Sequence, residues 1–339
     1  MENKNTYYGH LDILRIVSAF AVVVIHIVTS TVFNSAIPIT PTEKLFCSTI
    51  HSIMNFSVPT FIMITGFIFL GNEINYTYNS MKKYILKIII ALILFGSFYS
   101  LLEQVFIART FNYKMIIQTF YNIITGNLWD HLWYLYTILG IYLIIPIIKP
   151  FFITKNVKPL IVATALILIC NNVIPEFNAY CGTEIVSVIP LFNKYICYLF
   201  LGGLLAKIKP KISYMYLSII GMIVTIILII IKYYIGLDLN TEYDSLTICV
   251  LTVSLFVLIS HFFKDYSPNK YLINISKATW GIYLLHPLFL NIQLKFLHIN
   301  PFQFFPTVMV PLNCILLFIV TYWFVKLLRS LSFVQKYIL

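Results

Sequence analysis

Charged residues are scarce in this chain, where Asp, Glu, Lys and Arg make up only 10% of 339 residues. About a quarter of the residues in a typical soluble domain are charged, whereas 60% of the residues here are hydrophobic and the mean hydropathy is +0.89. This shortage of charge argues against a water-soluble globular protein and indicates that the lipid bilayer is the solvent.

Cysteine patterns, glycine-rich loops and repeats are also missing. The six cysteines lie mostly within apolar runs, at spacings that fit neither a zinc site nor a paired framework, so we expect no disulfide and no metal. There is no internal repeat and no glycine-rich nucleotide loop. The first apolar run contains Arg15 and lacks a small-residue cleavage site, which predicts a retained helix and not a signal peptide.

Apolar runs long enough to span a bilayer, about 20 residues each, recur along the whole chain. They predict an all-α fold, a polytopic membrane helix bundle of about ten transmembrane helices in a single domain, residues 1–339. The predicted spans are residues 11–33, 45–70, 83–102, 131–150, 158–175, 191–207, 213–235, 245–263, 273–298 and 305–328.

Lysine and arginine concentrate in alternate connectors between these spans. Short cytosolic loops are enriched in both residues, so we expect this set to face the cytosol and both termini to be cytosolic. The set includes Lys82, Lys83, Lys87, Lys149, Lys155, Lys158, Lys207, Lys209, Lys211, Lys264, Lys270, Lys326, Arg329 and Lys336. Topology accounts for the net charge of +11, so we expect membrane lipids and no nucleic acid as partners.

Arg15 and His26 lie inside the first predicted span, where ionisable side chains are costly and usually face a cavity or a partner. Arg15 and His26 are eleven residues apart, which places them within about 20° on one helix face and about 16 Å apart along the axis. They form a functional stripe, or else Arg15 snorkels to lipid phosphates and His26 bonds to a neighbouring helix.

Four segments carry a further pattern, in this order along the chain: the residues Leu11, Asp12, Arg15 and His26, then residues 57–71, residues 131–146 and residues 280–289. Together they resemble the membrane-bound acyltransferase 3 family, and residues 131–146 are similar to its bacterial O-acetyltransferase branch. The resemblance covers most of the chain and implies that the protein lies in a bacterial inner membrane.

The resemblance implies an O-acyltransferase, most simply one that transfers acetyl from acetyl-coenzyme A to a hydroxyl of an envelope glycan or its lipid-linked precursor. His26 would act as a general base or as a covalent acyl carrier, two alternatives that the sequence leaves open, because imidazole titrates near neutral pH. Arg15 would contact the coenzyme phosphates, and Asp12, one turn earlier, would hold its guanidinium. The oligomeric state is not predicted.

Several other residues have both a functional and a structural interpretation. Tyr84 and Lys87 lie where the family often has two arginines, and Lys83 lies beside them, so the two lysines either contact the coenzyme or are ordinary cytosolic lysines. His286 either takes part in catalysis or bonds to the carbonyl that the following Pro287 frees.

The outer end of the 131–150 span is aromatic. His131, Trp133 and Tyr134 would form an interfacial belt, or Trp133 and Tyr134 would bind the acceptor sugar together with Tyr283. His51 matches no family position and is expected to be structural.

Two other functions stay open, a polysaccharide or glycolipid exporter without acyl-transfer activity and a non-catalytic assembly subunit. Many transporters show related halves with broken helices in corresponding places, and the sequence shows no such pairing. The outer loops, residues 109–130 and 181–190, are expected to select the acceptor.

Overall fold

The computed structural model describes residues 7–33, 39–154, 156–183, 194–208, 211–303 and 305–338. Helix accounts for 82% of the structure and no strand occurs in the described ranges, which confirms the predicted all-α class. The α-helices are α1 (Gly9–Val28), α2 (Pro41–Met54), α3 (Ser57–Gly71), α4 (Tyr78–Ala108), α5 (Lys114–Thr125), α6 (Trp133–Phe152), α7 (Lys158–Leu168), α8 (Ile174–Cys181), α9 (Ile196–Lys207), α10 (Ile212–Ile235), α11 (Leu246–Phe262), α12 (Lys270–Asn291), α13 (Pro306–Leu328) and α14 (Ser332–Tyr337).

Seven helical segments of the described residues are long and apolar enough to cross a membrane, so the polytopic bundle is confirmed and the count of ten is not. They are Gly9–Thr31, Pro41–Gly71, Tyr78–Ala108, Asp130–Phe152, Lys158–Cys181, Ile212–Ile235 and Pro306–Leu328. Helices α9 and α11 are apolar but shorter, and residues 191–193 of the predicted 191–207 span lie outside the described residues. Lys155, Lys209 and residues 184–190 of a predicted outer loop also lie outside them.

The predicted span 45–70 is one candidate span but not one helix, because the chain breaks between α2 and α3 at Asn55 and Phe56. Pro59, in the first turn of α3, has no N–H to donate to the Asn55 carbonyl. The Asn55 side chain donates to the Thr241 carbonyl at 2.8 Å, which ties this break to the segment before α11.

The predicted outer loop 109–130 contains a helix, α5, that the sequence reading did not anticipate. It packs on α4, where Gln104 Nε2 donates to Thr119 Oγ1 at 2.9 Å and Asn122 Nδ2 donates to Ser100 Oγ at 3.0 Å. The chain reverses direction between the two helices at Arg109, whose φ of 57° is left-handed.

Helix α1 lies inside the bundle and packs against α2, α3, α11, α12 and α13. Glycines bring α3 and α9 into backbone contact, since a Cβ at Gly66 would lie 2.1 Å from the Leu199 carbonyl oxygen. A Cβ at Gly202 would lie 2.0 Å from the Met63 carbonyl oxygen. Small residues at such crossings are typical of membrane helices, where close packing replaces the hydrophobic effect.

Lys149, one of the lysines assigned to a cytosolic connector, is fully buried in the last turn of α6. Its ammonium donates to the carbonyls of Leu70 at 3.1 Å and Asn72 at 2.5 Å, and to Asn72 Oδ1 at 3.2 Å. The last carbonyls of a helix have no partner within it, so Lys149 caps the end of α3.

Candidate active site

Three histidines from distant parts of the chain meet in the bundle, His26 on α1, His131 in the short turn before α6, and His286 on α12. The ring centroids of His26 and His286 are 5.0 Å apart. The His131 ring lies 5.9 Å from His286 and 6.2 Å from His26. We call these residues the histidine cluster.

The hydrogen bonding of His286 defines its tautomer. Its Nδ1 lies 2.9 Å from the Ile282 carbonyl, and because a carbonyl only accepts, Nδ1 carries the hydrogen. When the ring is neutral, Nε2 is therefore the unprotonated nitrogen, and it is buried without a hydrogen-bond partner among the described residues. Pro287 removes the N–H that would bond to the Tyr283 carbonyl, and His286 bonds to the adjacent carbonyl. This local bond leaves the basic Nε2 available.

His131 is the member of the cluster that the sequence did not predict, since its position at the end of a span indicated an aromatic belt. The Tyr283 hydroxyl donates to the His131 carbonyl, and the Tyr99 ring lies 5.2 Å from the imidazole. The Tyr99 hydroxyl in turn donates to the Leu284 carbonyl at 2.7 Å. These contacts join α4, the turn before α6 and α12 around the cluster. The only signal in the sequence was a histidine at the start of a matched segment.

A cavity of about 480 Å³ lies between α1, α3, α4, α6 and α12. Arg15 and Lys87 contribute its two charged lining groups, while Tyr134 and Tyr283 line it close to the histidine cluster. The lining residue Val22 is one turn before His26 on the same helix. Most other lining residues are aliphatic or aromatic, as in typical small-molecule sites of this volume.

Arg15 is oriented by a buried carboxylate. Asp12 Oδ1 accepts from the Arg15 guanidinium at 2.8 Å and from Ser276 Oγ at 2.6 Å, so the carboxylate joins α1 to α12. The Tyr7 hydroxyl donates to the other oxygen, Oδ2. Burial, followed by this hydrogen bond, raises the pKa of the Tyr7 phenol to about 12. The contact expected between Asp12 and Arg15 is therefore present in the structure.

The two lysines considered together at the sequence level occupy different places. Lys87 lines the cavity with Arg15, whereas Lys83 is exposed and its ammonium lies 4.8 Å from the Tyr84 ring centroid. Lys83 is absent from the cavity lining.

The aromatic residues expected to bind an acceptor also separate into two groups. Tyr134 and Tyr283 line the cavity and their rings are 5.6 Å apart. Trp133 packs instead against Tyr195 and Tyr243, with ring centroids 5.5 and 5.7 Å away. Trp133 is half-buried within that aromatic cluster and does not line the cavity.

His51, expected to be structural, interacts electrostatically with His26 and so lies nearer the cluster than the sequence suggested. Within the described ranges, no group of three or more His, Cys, Asp or Glu side chains is arranged to hold a metal ion.

A family model for an acyltransferase domain matches residues 8–328, a range that includes Asp12, Arg15 and the whole histidine cluster. Searches of curated proteins and of solved structures find no match.

Proposed function

The chain belongs to the acyltransferase 3 family, and from this premise we propose that it is a membrane-embedded O-acyltransferase that transfers acetyl from acetyl-coenzyme A. The proposed acceptor is a hydroxyl of a cell-envelope glycan or of its lipid-linked precursor. The observation that carries the proposal is one cavity with cations in its lining and three imidazoles beside it.

The positive charges of Arg15 and Lys87 suit acetyl-coenzyme A as the donor. Coenzyme A carries phosphates at one end and a thioester at the other, and fixed cations bind phosphate while an apolar passage accommodates the arm between them. Arg15 is held by Asp12, so its guanidinium is in place before a ligand enters. Arg15 and His26 are separated by about 16 Å along α1, a span that an extended pantetheine arm would bridge.

The histidine cluster suits the chemistry. A sugar hydroxyl is a weak nucleophile until a base removes its proton, and His26 is the proposed base. The acceptor oxygen would attack the thioester carbonyl, the bond from carbon to sulfur would break, and His26 would return the proton to the departing thiolate. The unprotonated Nε2 of the neighbouring His286 would stabilise the imidazolium that forms on His26.

His26 as a covalent acyl carrier is the alternative course of the same reaction. In that case acetyl would be transferred from sulfur to an imidazole nitrogen, and then to the acceptor oxygen. Incubation with radiolabelled acetyl-coenzyme A and no acceptor separates the two courses, because only a carrier would retain label on the protein.

The distribution of lysine supports an orientation for the transfer. We propose that the Arg15 end of the cavity opens to the cytosol of a bacterial inner membrane, where acetyl-coenzyme A is made, and that both chain termini lie on that side. The acceptor would approach from the outside, near Tyr134 and Tyr283, with Trp133 farther along that approach.

Purified protein in lipid nanodiscs, supplied with acetyl-coenzyme A and envelope glycans, tests the proposal by mass spectrometry of the glycans. The expected result is an acetyl mass increment that wild type produces and His26→Ala does not. His261→Ala is the matched control, because His261 lies at the end of α11 outside the cluster. Acetylation by His26→Ala at the wild-type rate would show that the assigned base is wrong. Polymer transport by reconstituted vesicles without consumption of the donor would instead favour an exporter.

A further inference from the structure

A second, smaller pocket of about 220 Å³ lies where α12, the end of α13 and the tail helix α14 meet. Its polar lining groups come from Asn274, Tyr322, Lys326, Arg329, Ser330 and Gln335. The tail is held there by the Trp280 indole, whose Nε1 donates to the Ile338 carbonyl at 3.0 Å. The pocket is thus formed by three separate segments of the chain.

The pocket is cationic. It is lined by Lys326 and Arg329, and none of the described lining residues is a carboxylate. The Arg329 Nε is buried and has no hydrogen-bond partner among the described residues, and the two ion pairs found there, Arg15 with Asp12 and Lys194 with Asp244, do not involve it. Burial lowers the pKa of the Arg329 guanidinium.

The end of a helix favours the positive charge of Arg329, but it does not explain why the Arg329 Nε has no acceptor. Cations are favoured near the last turn of a helix, where the carbonyls point outward. The Arg329 Nε bonds to none of these carbonyls, and a buried donor without an acceptor is costly. The Lys326 ammonium lies 4.3 Å from the Trp323 ring centroid, a contact that also provides no acceptor. An anion in the pocket would supply the hydrogen-bond acceptor that both side chains lack.

The small pocket and the main cavity both lie against α12. Helix α12 contributes Ala278 to the small pocket and the next two residues, Thr279 and Trp280, to the main cavity. Lys87 lines the main cavity, and its charge repels that of Arg329. The negative charge of a ligand bound at Arg329 would therefore relieve this repulsion.

We propose that the small pocket binds a phosphate group of the acyl donor, with Arg329 as its principal contact and Lys326 as a second cation. This inference rests on the proposed function. A guanidinium offers phosphate two parallel N–H donors, which a lysine ammonium at position 83 or 87 does not. Arg329, supplied by the end of α13, provides this geometry. The other source of the same chemistry is the phosphate of an anionic lipid, which can reach the same face of the bundle.

The test measures binding of coenzyme A and of pantetheine, which lacks the phosphates, to protein in phosphatidylcholine nanodiscs. Arg329→Gln is expected to weaken coenzyme A binding by at least about tenfold, the effect of losing one charge-assisted contact, and to leave pantetheine binding unchanged. Lys326→Gln, at an exposed position, should weaken coenzyme A binding less. Lys264→Gln, which removes an exposed lysine outside the pocket, is the control.

Unchanged coenzyme A affinity in both variants would overturn the inference, and so would an equal loss for coenzyme A and pantetheine, which would indicate general distortion. A parallel set of nanodiscs containing phosphatidylglycerol identifies a lipid source. If Arg329→Gln altered only the retention of this lipid, the donor assignment would be wrong. Failure of wild type to bind coenzyme A would count against the proposed function itself, and the pocket would then be judged by the lipid measurement alone.

Discussion

The rings of His26 and His286 lie 5.0 Å apart, and the helices that carry them are joined a second time by the hydrogen bond from Ser276 to Asp12. The earlier residues of the two helices, Asp12 and Ser276, meet each other, and so do the later ones, His26 and His286, so the two helices run in the same direction. One helix pair thus positions the imidazoles and, through Asp12, the Arg15 guanidinium. The cation and the base are placed by a single packed interface.

His26→Gln is expected to lower kcat/KM for acetyl transfer by about 10²-fold to 10⁴-fold, the range for loss of a general base. His286→Gln should cost less, because its role is to stabilise the charge on His26. Combined, the two changes should cost less than the sum of their separate effects, since the second has no imidazolium left to act on. Steady-state kinetics of the four proteins check this. Fully additive losses would mean that the two rings act independently.

Asp12→Asn is expected to raise the KM for acetyl-coenzyme A by about tenfold with little change in kcat, because Arg15 loses the charged partner that holds it. Ser276→Ala should have a smaller effect of the same kind, since it removes one of several hydrogen bonds to the carboxylate. Glu73→Gln, an exposed carboxylate between α3 and α4, is the control and should leave the KM unchanged. A kcat defect at normal KM would place Asp12 in the chemistry and not in donor binding.

The features that sequence predicted well are local. Arg15 and His26 share a face because helix geometry relates any two residues on one helix, and Asp12 reaches Arg15 across a single turn. The break at Asn55 was equally local, since Pro59 four residues later signals it. It was missed because hydropathy continues across the break, and hydropathy alone defined the predicted span.

The features that sequence missed depend on packing between distant segments. No sequence period or spacing connects His131 with His26. A histidine at the start of a membrane helix has the same sequence pattern whether it belongs to an interfacial belt or to a buried cluster. Lys149 resembles a cytosolic lysine in sequence because the two carbonyls that it caps belong to α3. Nothing in the sequence near Arg329 indicates that its charge interacts with that of Lys87, which lies on α4.

Gly202→Ala is expected to destabilise the bundle by about 1 to 3 kcal/mol, the cost of overpacking a tight interface. The new Cβ would overlap the Met63 carbonyl oxygen at 2.0 Å, and because that atom is backbone, α3 and α9 would have to separate. Gly140→Ala is the matched control, since a Cβ there meets no atom within 4 Å. The midpoints of thermal unfolding in one detergent compare the two. Equal midpoints would contradict the close contact of α3 with α9.

Lys149→Met is expected to destabilise the protein by about 1 to 3 kcal/mol, although it replaces a buried charge with an apolar side chain of similar length. The substitution removes the hydrogen-bond donor of the Leu70 and Asn72 carbonyls. Inside the bundle no water replaces it, so the unsatisfied acceptors cost free energy. The same end of α3 carries Phe69, which lines the cavity, so a frayed end should also raise the KM for the donor. Lys82→Met, at an exposed position on α4, should shift stability by no more than about 0.5 kcal/mol. If both variants unfolded at the same temperature, the hydrogen bonds of Lys149 would contribute nothing to the stability of the bundle.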